Sequence, residues 1–226
     1  MKKRRYFALE ILLCLVMGYA AGMINPSYII GKIRGFDIRD KGSRNAGGSN
    51  ALITMGKAVG VLCMIFDIAK AAGVSILAHV LFPDSLFAFP AAAVGVVAGH
   101  IFPPYMKFRG GKGFACLGGV ILAYNPIVFG IMLAGAVPVV LVSDYICFVP
   151  LYASVVFPVV YGVMSRNPAG AAVLLLITAL IFFRHVENFR RIREGTELHF
   201  SYLWKKDSEM ERIGATEKNG DPERED

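Results

Sequence analysis

Charge is what this sequence lacks. Between residues 58 and 183 only eight side chains are formally ionised: Asp67, Lys70, Asp84, Lys107, Arg109, Lys112, Asp144 and Arg166. A soluble chain carries about 25% charged residues; this one has 18%, against 55% hydrophobic. So long a stretch without ions cannot face water, which excludes a soluble globule. Cysteine is scarce too. Cys14, Cys63, Cys116 and Cys147 fall singly in apolar runs, with no CxxC or Cys/His spacing, so neither a zinc site nor a disulfide framework is indicated. Aromatic residues interleaved with basic stripes are missing, so the net charge of +7 does not mark a nucleic-acid binder. No Ser-His-Asp or Cys-His arrangement offers a covalent nucleophile.

What is present is a series of apolar runs: Phe7–Ile33, Ala51–Phe82, Leu86–Met106, Phe114–Val142, Tyr145–Met164 and Ala169–Phe183. A membrane span needs about 20 such residues. The fourth run is interrupted by Asn125-Pro126, a turn dipeptide. Three connections are strongly basic: 34–44, 107–112 and 184–193. Basic connections face the cytoplasm. All three share a side only if the chain reverses at Asn125. That predicts an all-α polytopic integral membrane protein of about seven transmembrane helices, with the N-terminus outside and the C-terminus cytoplasmic. Phe114–Tyr124, with 11 residues, is then too short to cross unless neighbours cover its end. Lys2–Arg5 runs against this topology and is outvoted. The apolar run continues past Ala21 to Ile33, so the first segment reads as an uncleaved helix and not as a signal peptide. Residues 1–200 form the membrane domain; 201–226 are a charged cytoplasmic tail expected to be disordered.

Three polar clusters lie in or beside the basic connections. The first runs Gly42-Ser43-Arg44-Asn45-Ala46-Gly47-Gly48-Ser49-Asn50 and leads straight into a helix. Glycine backbone can turn its N–H groups inward around an anion, and a helix N-terminus favours one. The second is Phe108-Arg109-Gly110-Gly111-Lys112-Gly113, preceded by Gly99-His100-Ile101-Phe102-Pro103-Pro104. It is not a nucleotide phosphate loop, since Gly113 follows the lysine and no βαβ unit surrounds it. The third is Arg184-His185-Val186-Glu187-Asn188-Phe189-Arg190-Arg191, continuing to Gly195-Thr196-Glu197; Arg184, His185, Asn188 and Arg191 recur at helical spacing. Singly, these read equally well as a polar loop, a topology signal and a segment drawn to anionic lipid. Together they put two cationic glycine loops and a His/Asn/Arg face on one side of the membrane. Asp67 and Lys70, three apart inside a span, read either as a structural pair or as a wall of the site. His100 reads as a supporting hydrogen-bonding group, and His79 and His199 carry no functional reading.

In order, GS-x-N-x-G-x-S-N at 42–50, D-x-x-K at 67–70, GH-x-FP and FRGGKG at 99–113, and RH-x-x-N-x-x-R-x-x-x-GTE at 184–197 resemble the bacterial acyl-phosphate:glycerol-3-phosphate acyltransferases, the PlsY family. The resemblance implies transfer of an acyl chain from acyl phosphate to the 1-hydroxyl of glycerol 3-phosphate, giving lysophosphatidic acid and phosphate, by a multi-pass protein of the bacterial cell membrane. The substrates and the bilayer are the implied partners; no nucleic acid, metal or cofactor is. Carried over by position, Ser43, Asn45, Gly47, Ser49 and Asn50 line one phosphate site, and Arg109, Gly110, Gly111, Lys112 and Gly113 hold another. His185 and Asn188 bind or orient glycerol 3-phosphate, with Arg184, Arg191 and His100 beside them. Ser43, Asn45, Lys112, His185 and Asn188 are the implied catalytic set. Whether His185 or a substrate phosphate oxygen takes the proton stays open. The chain departs from the family at Arg44 (usually Gly or Lys), Gly48 (Ala), Ser49 (Thr) and Ile53 (Arg). Arg44 is the substitute expected for the guanidinium lost at Ile53. The alternatives are a related transferase with another phosphorylated acceptor, and a small-molecule transporter. Transport sites sit at a midplane repeat interface, and no repeat is visible here.

Overall fold

The computed structural model describes residues 2–203, whose regular structure is entirely helical. In order come α1 (Lys2–Met23), α2 (Pro26–Ile33), α3 (Gly48–Met55), α4 (Lys57–Leu81), α5 (Ala88–Ile101), α6 (Phe114–Tyr124), α7 (Pro126–Ser143), α8 (Phe148–Ser165) and α9 (Pro168–Arg193). Of the tail 201–226, expected to be disordered, residues 201–203 instead continue a 3-10 turn, Phe200–Leu203, and those beyond 203 lie outside the described residues.

Three Asn-Pro dipeptides set helix starts. Proline suits the first helical position, where its missing N–H costs nothing, and asparagine is a preferred N-cap. Asn25 Oδ1 accepts from Tyr28 N at 2.9 Å, Asn125 Oδ1 from Ile127 N at 2.8 Å, and Asn167 Oδ1 from Gly170 N at 2.8 Å. The break at Asn125 turns the predicted fourth run into two antiparallel helices, which brings Phe129 back beside Gly118. The same device at Asn25 cuts the first predicted run into α1 and α2. The second predicted run is also cut. At Gly56 φ is +96°, a value that side chains rarely adopt, and α3 folds back so that Leu52 packs on Gly60 of α4.

Among the described residues six segments are long and apolar enough to cross a membrane: Phe7–Ile33, Lys57–Leu81, Ala88–Met106, Pro126–Ser143, Phe148–Ser165 and Pro168–Arg193. The expected seventh segment, α6, has 11 residues and is shorter than these six. Its far end is covered: Tyr124 packs on Phe89, Phe157 and Tyr161, with ring centroids 5.1–5.9 Å apart.

The centre of the bundle is α5, hydrophobic all round and buried over most of its length. It contacts α1, α4, α6 and α9. Small residues let it sit there. Gly18 and Gly22 of α1 face Gly95 and Gly99 of α5 in parallel, so close that a Cβ at Gly95 would strike the Leu15 carbonyl and one at Gly99 the Tyr19 carbonyl. Glycines four apart on both helices permit such backbone approach in a membrane. Helices α1, α5, α7 and α9 therefore end where α4, α6 and α8 begin, and all three basic clusters meet at that end.

Candidate active site at the polar end of the bundle

The first loop is organised from inside by Asn50. Its Nδ2 donates to the carbonyls of Ile38, Lys41 and Asn45 at 2.9, 3.0 and 2.9 Å, and its Oδ1 accepts from Ser43 N at 2.9 Å. Asn50 was expected to line a phosphate site; its polar atoms are turned into the loop's own backbone. Ala46 is buried, and its carbonyl accepts from Asn25 Nδ2 at 2.8 Å. Asn45 presents a buried Oδ1 without a partner among the described residues. Ser43, Arg44 and Ser49 form the exposed rim, with Arg44 at φ +58°. Ile53 is 61% exposed on α3.

Arg39 ties this loop to the second. Its guanidinium grips Asp37 (2.9 and 2.7 Å) and donates to Met106 O at 2.6 Å and Arg109 O at 3.3 Å. Those bonds from Arg39 hold the Asp37 carboxyl well below the usual carboxylate range. The second loop doubles back on α5 through Gly110 N to Ile101 O (2.9 Å) and Gly111 N to His100 O (3.1 Å). Gly111 lies flat on the buried His100 ring, leaving no room for a side chain.

From the other side α9 closes on this loop. Arg184 donates from Nε to Gly111 O and from Nη2 to Gly110 O, each at 3.2 Å. Lys112 Nζ donates to Asn188 Oδ1 at 2.5 Å. Asn188 Nδ2 in turn donates to Glu197 Oε1 at 2.5 Å, and Glu197 Oε2 accepts from Arg191 Nε at 2.6 Å. Burial, with Arg191 and Arg184 near, pushes the Lys112 ammonium down to about 8. His185 is buried, with Nδ1 2.7 Å from Ile181 O. A carbonyl can only accept, so Nδ1 carries a proton, and the neutral form of His185 offers Nε2 as an acceptor.

Gly110, Gly111, Lys112, Arg184, His185, Asn188 and Arg191 thus gather in one place. Gly113 starts α6 behind them, and Arg109 is tied to the first connection through Arg39; Ser43, Arg44 and Ser49 of the first loop are exposed and Gly47 is buried. Asp67, Lys70 and His100 form a deeper cluster below the second loop. Lys70 Nζ is 2.7 Å from Asp67 Oδ1 and 3.2 Å from His100 Nδ1, and Asp67 Oδ1 is 3.4 Å from His100 Nδ1. Asp67, His100 and Cys116 offer ligand atoms within 4.8 Å of one another, the composition of a cation site, yet the cation beside them is the Lys70 ammonium.

Two contributors were missed from sequence. The α7–α8 connection reaches this end: Asp144 accepts from Ser201 N and Ser201 Oγ, both at 2.8 Å, and Tyr145 Oη lies 2.9 Å from His199 Nε2. Cys147, in the same connection, is buried, and burial with the nearby Glu197 charge pushes its thiol up to about 11. The available signal was Asp144 itself, an isolated acid between two apolar runs. Glu197 closes the third sequence cluster, where nothing in its spacing marks it as the partner of Asn188 and Arg191.

The family profile described as glycerol-3-phosphate acyltransferase matches residues 12–195. Among similar curated proteins, a glycerol-3-phosphate acyltransferase of Clostridioides difficile (strain 630) is 37% identical over 187 residues, covering 80% of this chain and 91% of that one. One of Geobacillus kaustophilus (strain HTA426) is 38% identical over 188 residues, covering 82% and 93%. Among solved structures, PlsY, an integral membrane glycerol 3-phosphate acyltransferase crystallised in a glycerol 3-phosphate form, superposes with a TM-score of 0.76 at 29% identity, covering 85% of this chain and 96% of that one. A lysophosphatidic acid form of PlsY gives a TM-score of 0.74.

Proposed function

This chain belongs to the glycerol-3-phosphate acyltransferase family, and from that premise we propose that it moves an acyl chain from acyl phosphate to the 1-hydroxyl of glycerol 3-phosphate. It is a membrane acyltransferase of phospholipid synthesis, and its polar end is the cytoplasmic one. The observation that carries the reading is the meeting of Lys112 with Arg184, Asn188 and Arg191 beside the Gly110-Gly111 turn, a cluster of cations suited to phosphate. Beside it, between α7, α8 and α9, an apolar groove of about 410 Å³ runs from Ser143 and Phe148 past Val139 and Tyr152 to Phe182. A substrate with a phosphate head and an acyl tail needs that pairing of surfaces.

In this reading the glycerol 3-phosphate hydroxyl oxygen attacks the acyl carbonyl carbon. The bond from that carbon to the phosphate oxygen breaks, and inorganic phosphate leaves. His185 takes the hydroxyl's hydrogen bond at Nε2, and the proton leaves with the phosphate. Phosphate departs readily, so positioning and electrostatic stabilisation supply the catalysis without a covalent intermediate. Lys112 steadies the charge that develops on the departing phosphate, and Asn188 and Glu197 fix the direction of its ammonium.

A second reading, a related transferase for another phosphorylated acceptor, is favoured by one observation, Ile53 standing where the family carries arginine. Purified protein given acyl phosphate and labelled glycerol 3-phosphate should yield lysophosphatidic acid and phosphate. Product only with a different phosphorylated acceptor would favour the second reading, and no acyl transfer to any of them would overturn both.

A further inference from the structure

The Asp67–Lys70–His100 cluster takes no part in the chemistry just described, yet it sits inside spans, where ionic groups are costly and rarely idle. The geometry points to a positioning role: Lys70, held by Asp67, fixes the two glycine loops in register with each other. This inference rests on the acyl-transfer reading for its consequence and on hydrogen bonds alone for its geometry.

On one side, Lys70 Nζ donates to Gly22 O at 3.1 Å and Ile24 O at 2.5 Å, carbonyls left open where α1 ends. The next residue, Asn25, caps α2 and donates to Ala46 O in the middle of the first loop. On the other side, the same ammonium lies 3.2 Å from the His100 ring. That ring is the floor under Gly111, whose N–H is bonded to the His100 carbonyl. One buried cation is therefore a few bonds from both loops. Lys70 and Asp67 are almost fully buried, with side-chain exposures of 5% and 1%, and so is His100 at 3%. Buried ion pairs often add no more stability than apolar residues of the same volume; what they can add is a single defined geometry. A small misplacement of groups far from the reacting atoms can slow an enzyme about a hundredfold.

The test removes both charges together, so that neither is left unpaired: Asp67→Asn with Lys70→Met in the full chain. The expected result is a folded protein with near-native thermal stability, faster amide exchange at Gly110, Gly111 and residues 42–47, and kcat lowered about a hundredfold, with the KM for glycerol 3-phosphate changed far less. If the double variant does not fold, Lys70→Gln, which keeps a neutral donor, is subjected to the same measurements. A folded variant with wild-type exchange in both loops, or with wild-type kcat, overturns the proposal. A wild type without acyl transfer would sink the functional reading instead, and the exchange comparison would then decide the positioning role alone.

Discussion

Lys112 and Asn188 come from opposite sides of the polar end, 76 residues apart in sequence, and meet in a 2.5 Å hydrogen bond. Each also has a second tie. Lys112 belongs to a loop whose carbonyls Arg184 holds, and Asn188 is held by Glu197. The ammonium is therefore aimed, and not simply present. Hydrogen bonds to charged groups contribute about 1.5–3 kcal/mol. Lys112→Met should lower kcat/KM for the phosphorylated substrates roughly ten- to hundredfold, with the fold intact by circular dichroism. Lys112→Arg should not restore it, because a planar fork does not replace a point charge held against Asn188. Wild-type kinetics in Lys112→Met would remove this lysine from the mechanism.

The depressed Lys112 gives a pH signature. The free site holds an ammonium only below about 8. A bound phosphate dianion favours the charged lysine and raises its pKa again, so above pH 8 binding must take up a proton. The apparent affinity for glycerol 3-phosphate should be level from about pH 7 to 8 and then fall by up to about tenfold per unit as the pH rises. The direction follows from burial disfavouring charge in the empty site and the ligand favouring it. Isothermal titration at pH 7, 8 and 9 in buffers of differing ionisation heat checks both the loss and the proton uptake. An affinity that rises with pH contradicts the assignment.

Much of this architecture was legible in the sequence, and what was missed has a physical reason. The three clusters could be read because glycines and cations among apolar spans stand out. The reversal at Asn125 could be read because an Asn-Pro pair is a cap waiting for a helix. The same pair at Asn25-Pro26 and Asn167-Pro168 carried an equal signal, and hydropathy hid the first because apolar residues continue on both sides. The fold-back at Gly56 left no trace beyond a single glycine in an apolar run. Asn50 shows the limit of motif reading. Its type suggested a ligand, and the motif gave no hint that its amide also closes the loop on itself. The return of residues 199–201 onto Asp144 depends on contacts between distant segments, which no local pattern encodes.

Arg44 and Ile53 supply a prediction about the chain's departure from its family. Ile53 is exposed on α3 and contributes no guanidinium, while Arg44 stands on the rim of the same loop in a left-handed conformation. If Arg44 is the substitute phosphate holder, Arg44→Ala should raise the KM for glycerol 3-phosphate at least severalfold, in line with the loss of one charged hydrogen bond, and leave the acyl phosphate KM near its original value. Introducing Ile53→Arg into that variant should recover part of the loss. Unchanged saturation by glycerol 3-phosphate in Arg44→Ala would show that the loop's backbone and Asn45 suffice.

The parallel contact of α1 with α5 should be the most sensitive packing in the molecule. Gly99 of α5 lies against the Tyr19 carbonyl, and Tyr19 Oη donates to Phe102 O at 2.6 Å just beyond it. Gly99→Val would force the two backbones apart where His100, the floor of the second loop, begins. Overpacking a tight contact costs about 1–3 kcal/mol, and here the displacement would also be transmitted to Gly110 and Gly111. The variant should melt several degrees lower in detergent and lose kcat more than substrate affinity. Gly73→Ala, on α4 with open space around it, is the matched control and should change neither. Equal melting of the two variants would mean that the close approach of α1 and α5 is not what holds this end together.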